Sequence, residues 1–173
     1  MTDQGENSHS ERREFISTMT KQRKLLVLTV RGLSEEQIRL RPTPSALCLG
    51  GLLTHVTMVE QSWSNFIVQG SSAIGGADPT SLPHHDASFE MTDGETLVVL
   101  LERYDQAARS TNELVMALPS LDLSHPLPEA PWFKEGASWS ARRVLLHIIA
   151  ETAQHAGHAD IIREAIDGAK TMG

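Results

Sequence analysis

Apolar residues recur along this chain at steps of three, four or seven, and no stretch alternates convincingly like a strand. Four amphipathic helices follow from that pattern. The first spans about Ser10 to Arg31, with Ile16, Met19, Leu26, Val30 and Leu33 on one face. Gly32, the acidic "SEEQ" and then "RPTPS" end it, because two prolines cannot continue a helix. The second spans Leu49 to Gln69 on a stripe of Leu52, Val56, Val59, Trp63 and Phe66, and "GSSAIGGADP" breaks it. The third begins at Thr92, where "TDGE" fits a capping box with Glu95. Its stripe is Leu97, Leu101, Tyr104, Ala108, Thr111, Val115 and Leu118. A proline-rich loop follows. Ser138 or Ser140 then caps a fourth helix that runs to Asp167, before Gly168.

These elements predict an all-α fold: a four-helix bundle with a long crossover connection between helices 2 and 3, formed by residues 70–91. Residues 1–173 make a single domain, with the polar tail 1–9 expected to be disordered. Loops as long as 70–91 are usually crossovers, functional segments or disordered. Bundles build their sites between facing helices, from side chains that project inward.

Composition narrows the partners. A net charge of −7 argues against a general nucleic-acid binder, which needs a basic surface. Hydrophobic residues make up 40% of the chain, enough for a core, yet no stretch reaches the apolar length of a membrane span. The polar N-terminus lacks the apolar centre of a signal peptide, so a soluble cytoplasmic protein is expected. The lone Cys48 excludes an intramolecular disulfide and reads as a small apolar residue near a helix start.

The candidate chemistry lies on helices 2 and 4. His155 falls inside the apolar stripe of Leu145, Ile148, Thr152, Ala159, Ile162 and Ile166, where a leucine would be expected. Glu151 sits one turn back, near the stripe's edge; His158 lies farther round and His147 farther still. On helix 2, His55 flanks the stripe. A histidine on one helix and a Glu-x-x-x-His pair on another can converge on one point. Two histidines and one glutamate suit Zn²⁺ and leave a coordination position open, the mark of a catalytic site. The same set suits Fe²⁺ or Ni²⁺.

"LGGLLTHVTMVEQSWSNF" at 49–66 and "WSARRVLLHIIAETAQHAGHADIIREAIDG" at 139–168 resemble the DinB-like superfamily of bundle metalloproteins, in its actinobacterial branch. "QRKLLVLTVRGLSEEQIRLRPTPSA" at 22–46 extends the resemblance over nearly the whole chain. It implies a bundle with a long crossover, commonly a homodimer, and a three-ligand divalent metal site. Many members use three histidines; Glu151 departs from that. In this the chain is similar to mycothiol-dependent maleylpyruvate isomerase, whose N-terminal bundle uses two histidines and a glutamate. The carry-over selects His55, Glu151 and His155 as metal ligands and leaves His147 and His158 outside the ligand set. That isomerase has an extra C-terminal domain, whereas this chain stops at Gly173, so only the bundle's metal chemistry is expected to transfer.

The function this implies is a metal-dependent S-transferase that joins a low-molecular-weight thiol, mycothiol by resemblance, to an electrophilic small molecule. The rivals are metal-assisted hydrolysis and a non-catalytic metal-binding stress-response protein. Arg142, at a helix start, is expected to contact an acid or an anionic substrate beside the site. Trp132, Phe133 and Trp139 are expected to pack the loop onto the bundle or line a substrate pocket. His84 and His85 read as a solvated loop pair, and His125 as a turn residue.

Overall fold

The structure is a computed structural model that describes residues 3–74 and 89–171, with side chains from His9 onward. Its four long helices are α1 (Asp3–Val30), α2 (Leu49–Gln69), α3 (Leu97–Ala117) and α4 (Ala141–Asp167). The expectation of an all-α bundle holds. α2 has the expected bounds, and α1 begins at Asp3, upstream of its apolar stripe.

The helix ends show why the boundaries fall where they do. Cys48 caps α2, its Sγ accepting from the Gly51 N–H at 3.4 Å. Of the two serines expected at α4, Ser140 is the cap, accepting from the Arg143 N–H. Gly168 closes α4 at φ +78°, a left-handed conformation that glycine adopts without a Cβ clash. The expected start of α3 needs correction. Thr92 and Glu95 do bond each other, with the Thr92 N–H donating to Glu95 Oε2 at 2.8 Å, but they form a turn ahead of the helix. Thr96 is the cap, and the Glu35 carboxylate accepts from the Leu97 N–H. An anion there complements the positive end of the helix dipole.

Side-chain contacts set the topology. Early α2 packs with early α3 through Leu52, Leu53, Val56, Leu100 and Tyr104, and late α2 with late α3 through Phe66 and Val115. These two helices are therefore parallel. Early α1 meets early α4 at Glu11–Arg142, and late α1 meets late α4 at Thr29–Arg163, so this pair is parallel too. α1 runs against α2 and α3, giving an up-down-down-up bundle. A parallel α2–α3 pair needs a connection that returns along the bundle's length, which is why a long crossover lies there.

Two apolar clusters fill the core, one around Leu26, Ile38, Leu52 and Ala159, the other around Met19, Phe66, Val115 and Ile148. A polar layer of Arg23, Glu60, Ser64, Thr111 and Thr152 lies between them. α2 buries Glu60 in place of the expected Val59, which is only half-buried, and α3 buries Leu100 and Ala107 in place of Leu101 and Ala108. One small ladder departs from an all-helical reading. β1 (Ser124–Pro126) pairs antiparallel with β2 (Ser138–Ser140), with His125 opposite Trp139. It is too short for alternation to show in the sequence. His125 is thus a strand residue, and its Nε2–H donates to the Ile67 carbonyl near the end of α2 at 3.1 Å.

Candidate metal centre

His55 projects from α2 and His155 from α4, and both are buried. The helices are antiparallel neighbours, so the two rings meet, with centroids 4.8 Å apart at 75°. Glu151 lies one turn before His155, and its Oε2 is 3.5 Å from His155 Nε2. One donor atom from each of His55, Glu151 and His155 lies within 4.8 Å of the others. Donors on one ion at about 2.0–2.2 Å stand at most about 4.4 Å apart, so a small side-chain rotation suffices to close this set on a cation. Two neutral imidazoles and one carboxylate are also the donor chemistry that a divalent ion accepts.

Neighbouring groups hold these donors in place. Phe89 stacks on His55 with centroids 3.8 Å apart and planes 16° from parallel. The "LGG" at the head of α2 permits that approach. A Cβ on Gly51 would overlap the Phe89 carbonyl, and one on Gly50 would overlap the Met91 side chain. His155 turns Nδ1 toward His158 Nδ1 at 3.4 Å. Whichever ring carries that proton, the contact leaves His155 Nε2 facing Glu151. Outer partners of this kind fix the tautomer and orientation of ligating histidines. The hydrogen bond from His155 holds the Glu151 carboxyl below its ordinary range, against the opposing effect of burial, with His147 and His55 acting in the same direction. Burial pushes the His147 imidazole down, so neutrality is favoured there.

Three candidates thus converge, while others fall elsewhere. His147 Nε2 stands 3.9 Å from Glu151 Oε1 and its ring packs edge-on against the stacked Trp63–Trp139 pair. Arg142 is about 13 Å along the helix axis from Glu151. Its guanidinium binds the carboxylates of Glu11 and Asp122, so it meets acids but not beside the candidate centre, the place expected for it. Trp139 stacks on Trp63, Phe133 meets both edge-on, and Arg143 lies over Trp139, so Phe133 and Trp139 pack onto the bundle as expected, whereas Trp132 is exposed and meets Phe133 edge-on. His84 and His85 lie outside the described residues, as does most of the 70–91 linker.

Comparison with known proteins places the chain in a family. The model of the mycothiol-S-transferase family matches residues 14–168. The chain belongs to that family. The match runs from α1 through Gly168 and so includes His55, Glu151 and His155. It bears out the DinB-like resemblance over nearly the whole chain. No curated protein matches. A solved structure, a conserved protein of a locus from Enterococcus faecalis, superposes with a TM-score of 0.63 over 91% of this chain and 97% of that one. At 14% identity it shows the fold shared by this family member and nothing of its chemistry.

The sequence reading overlooked the buried Arg23–Glu60 pair. Its only signal was a charged residue at each of two positions within one turn of an apolar stripe. Tyr104, from the expected α3 stripe, also lies in this layer. Its hydroxyl, set toward Thr152, makes no hydrogen bond of ordinary geometry among the described residues, and burial drives its pKa well up.

Proposed function

We propose that this chain is a divalent-metal-dependent S-transferase that joins mycothiol to an electrophilic small molecule. The observation that carries the reading is the convergence of His55, Glu151 and His155 from two helices in a member of the mycothiol-S-transferase family. His55 and His155 would serve as neutral donors. Glu151 would supply one negative charge, leaving the centre net positive with a divalent ion. Zn²⁺ is the metal proposed, since two histidines and a carboxylate form a set that leaves a position open.

When bound, the cation supplies positive charge that favours the thiolate form of a thiol, and the thiolate is the nucleophile. The chain's own residues orient and enclose. Phe89 covers the His55 ring, His158 contacts His155, and the stacked Trp63–Trp139 pair packs edge-on against His147. In the net reaction the thiol gives its proton to solvent water, its sulfur bonds to the electrophilic atom, and the bond to the leaving group breaks as that group departs with the electron pair.

The deciding experiment is metal analysis of untagged protein together with a conjugation assay using mycothiol and a chromogenic aryl halide. The expected result is stoichiometric metal and thiol-dependent product, both lost in His55→Ala and His155→Ala variants that keep helical circular dichroism. Full metal content in both variants would sink the ligand assignment. Thiol-independent hydrolysis would replace the transferase with a hydrolase, and binding without any product would replace it with a non-catalytic role. A cytoplasmic homodimer completes the proposal; a monomeric mass by light scattering removes the dimer.

A further inference from the structure

Of the three converging side chains, Glu151 is the least constrained. Both histidines are buried, whereas the Glu151 side chain keeps 29% of its exposure and turns about three bonds. Its two oxygens face different ways: Oε2 toward His155 and Oε1 toward His147, which lies one helical turn earlier. His147 itself has little freedom. Trp63 meets its ring at 4.8 Å and 78°, and Trp139 at 5.2 Å and 65°. These indoles stack on each other at 4.8 Å, and Arg143 lies 4.6 Å over the Trp139 ring. A ring held this way presents a fixed nitrogen to a mobile carboxylate.

We propose that His147 is a positioning residue, braced edge-on against the stacked Trp63–Trp139 pair so that its Nε2 anchors Glu151 Oε1 and aims Oε2 at His55 and His155. The inference rests on the reading of these three residues as metal ligands. At 3.9 Å the contact is longer than a hydrogen bond. A modest rotation of the carboxylate toward a bound cation would be enough to bring Oε1 within hydrogen-bond reach of the Nε2–H. The acceptor oxygen is then tied down, and the ordering of the glutamate costs less when metal arrives. The charged groups around the ring, Arg143 and Glu151, are both on α4, while α2 and β2 contribute only the two indoles.

A purely space-filling role for His147 makes a different forecast, because phenylalanine would fill the same place against the indole pair. The test measures Zn²⁺ affinity of the full chain by competition with a chromophoric chelator, alongside the melting temperature of metal-free protein. Two variants are compared, His147→Phe, which keeps the ring, and His147→Gln, which restores an N–H donor. Removing an outer partner of a metal ligand lowers affinity roughly 10–100-fold. That loss is expected for His147→Phe with an unchanged metal-free melting temperature, and His147→Gln should recover part of it. The Co²⁺-loaded absorption spectrum should shift in His147→Phe as the carboxylate changes its approach. Wild-type Zn²⁺ affinity in His147→Phe would overturn this inference and leave the proposed function standing. Failure of the unsubstituted chain to bind Zn²⁺ would overturn both.

Discussion

Arg23 on α1 and Glu60 on α2 form a buried, two-pronged ion pair across the bundle, with Arg23 Nε donating to Oε2 at 3.1 Å and Nη2 to Oε1. Arg23 Nη1 also donates to Asn112 Oδ1 at 3.0 Å, so one guanidinium joins three helices. Glu60 is fully enclosed. Charge is costly to bury, and the pair tolerates it only because each partner's lone pairs or protons are used.

That balance makes the two ends of the pair interdependent. Glu60→Ala leaves a guanidinium without its counterion in the core, and a loss of about 3–5 kcal/mol is expected. An Arg23→Met, Glu60→Leu double variant should recover most of it, since an apolar replacement has no desolvation to repay. Urea unfolding of the three proteins gives the comparison. A single variant within about 1 kcal/mol of wild type would mean that water reaches the site and screens the charge.

The close approach at the head of α2 links stability to the candidate centre. Gly51→Ala places a Cβ where the Phe89 carbonyl lies, and a backbone atom cannot rotate out of the way. Overpacking of this kind costs about 1–3 kcal/mol. Because Phe89 stacks on His55, the displacement should also weaken Zn²⁺ binding. Thermal melts with and without Zn²⁺ separate the two effects. An unchanged melting temperature together with unchanged Zn²⁺-induced stabilisation would show that the 89–91 segment can give way freely.

At the other end of the bundle, Glu11 and Arg142 tie α1 to α4 and should leave a mark on acid stability. The hydrogen bond from Arg142 holds the Glu11 carboxyl below its ordinary value of 4.5. A depressed folded pKa means that the unfolded chain takes up this proton first as pH falls. The contact's contribution is therefore complete above about pH 4.5 and is lost as pH drops through the folded value. Glu11→Gln should give a shallower acid limb below pH 4.5 in urea midpoints taken across pH. Both residues are partly exposed, so added salt should shrink the difference. Identical acid limbs at low salt would count against the contact.

Local sequence was sufficient where a single helix decides the outcome. The apolar period and the local cap and breaker residues gave the α2 bounds, a serine cap at 138 or 140 and the Gly168 stop, because each depends on residues within a turn or two of itself. It also placed His155 on the buried face of α4 and Glu151 near its edge. The family resemblance then paired them with His55, a pairing the bundle's geometry supports. Tertiary structure decided everything that joins one helix to another. No periodicity reveals that Glu60, inside an apolar helix, finds Arg23 across the bundle, or that Thr96 rather than Thr92 caps α3. The β1–β2 ladder is three residues per strand, too short for a pattern, and it exists because the loop folds back on itself. His147 shows the division most clearly. Helical phase set it aside from the ligands, and only the packing of α2 and β2 around α4 put it against a stacked indole pair with a nitrogen toward Glu151.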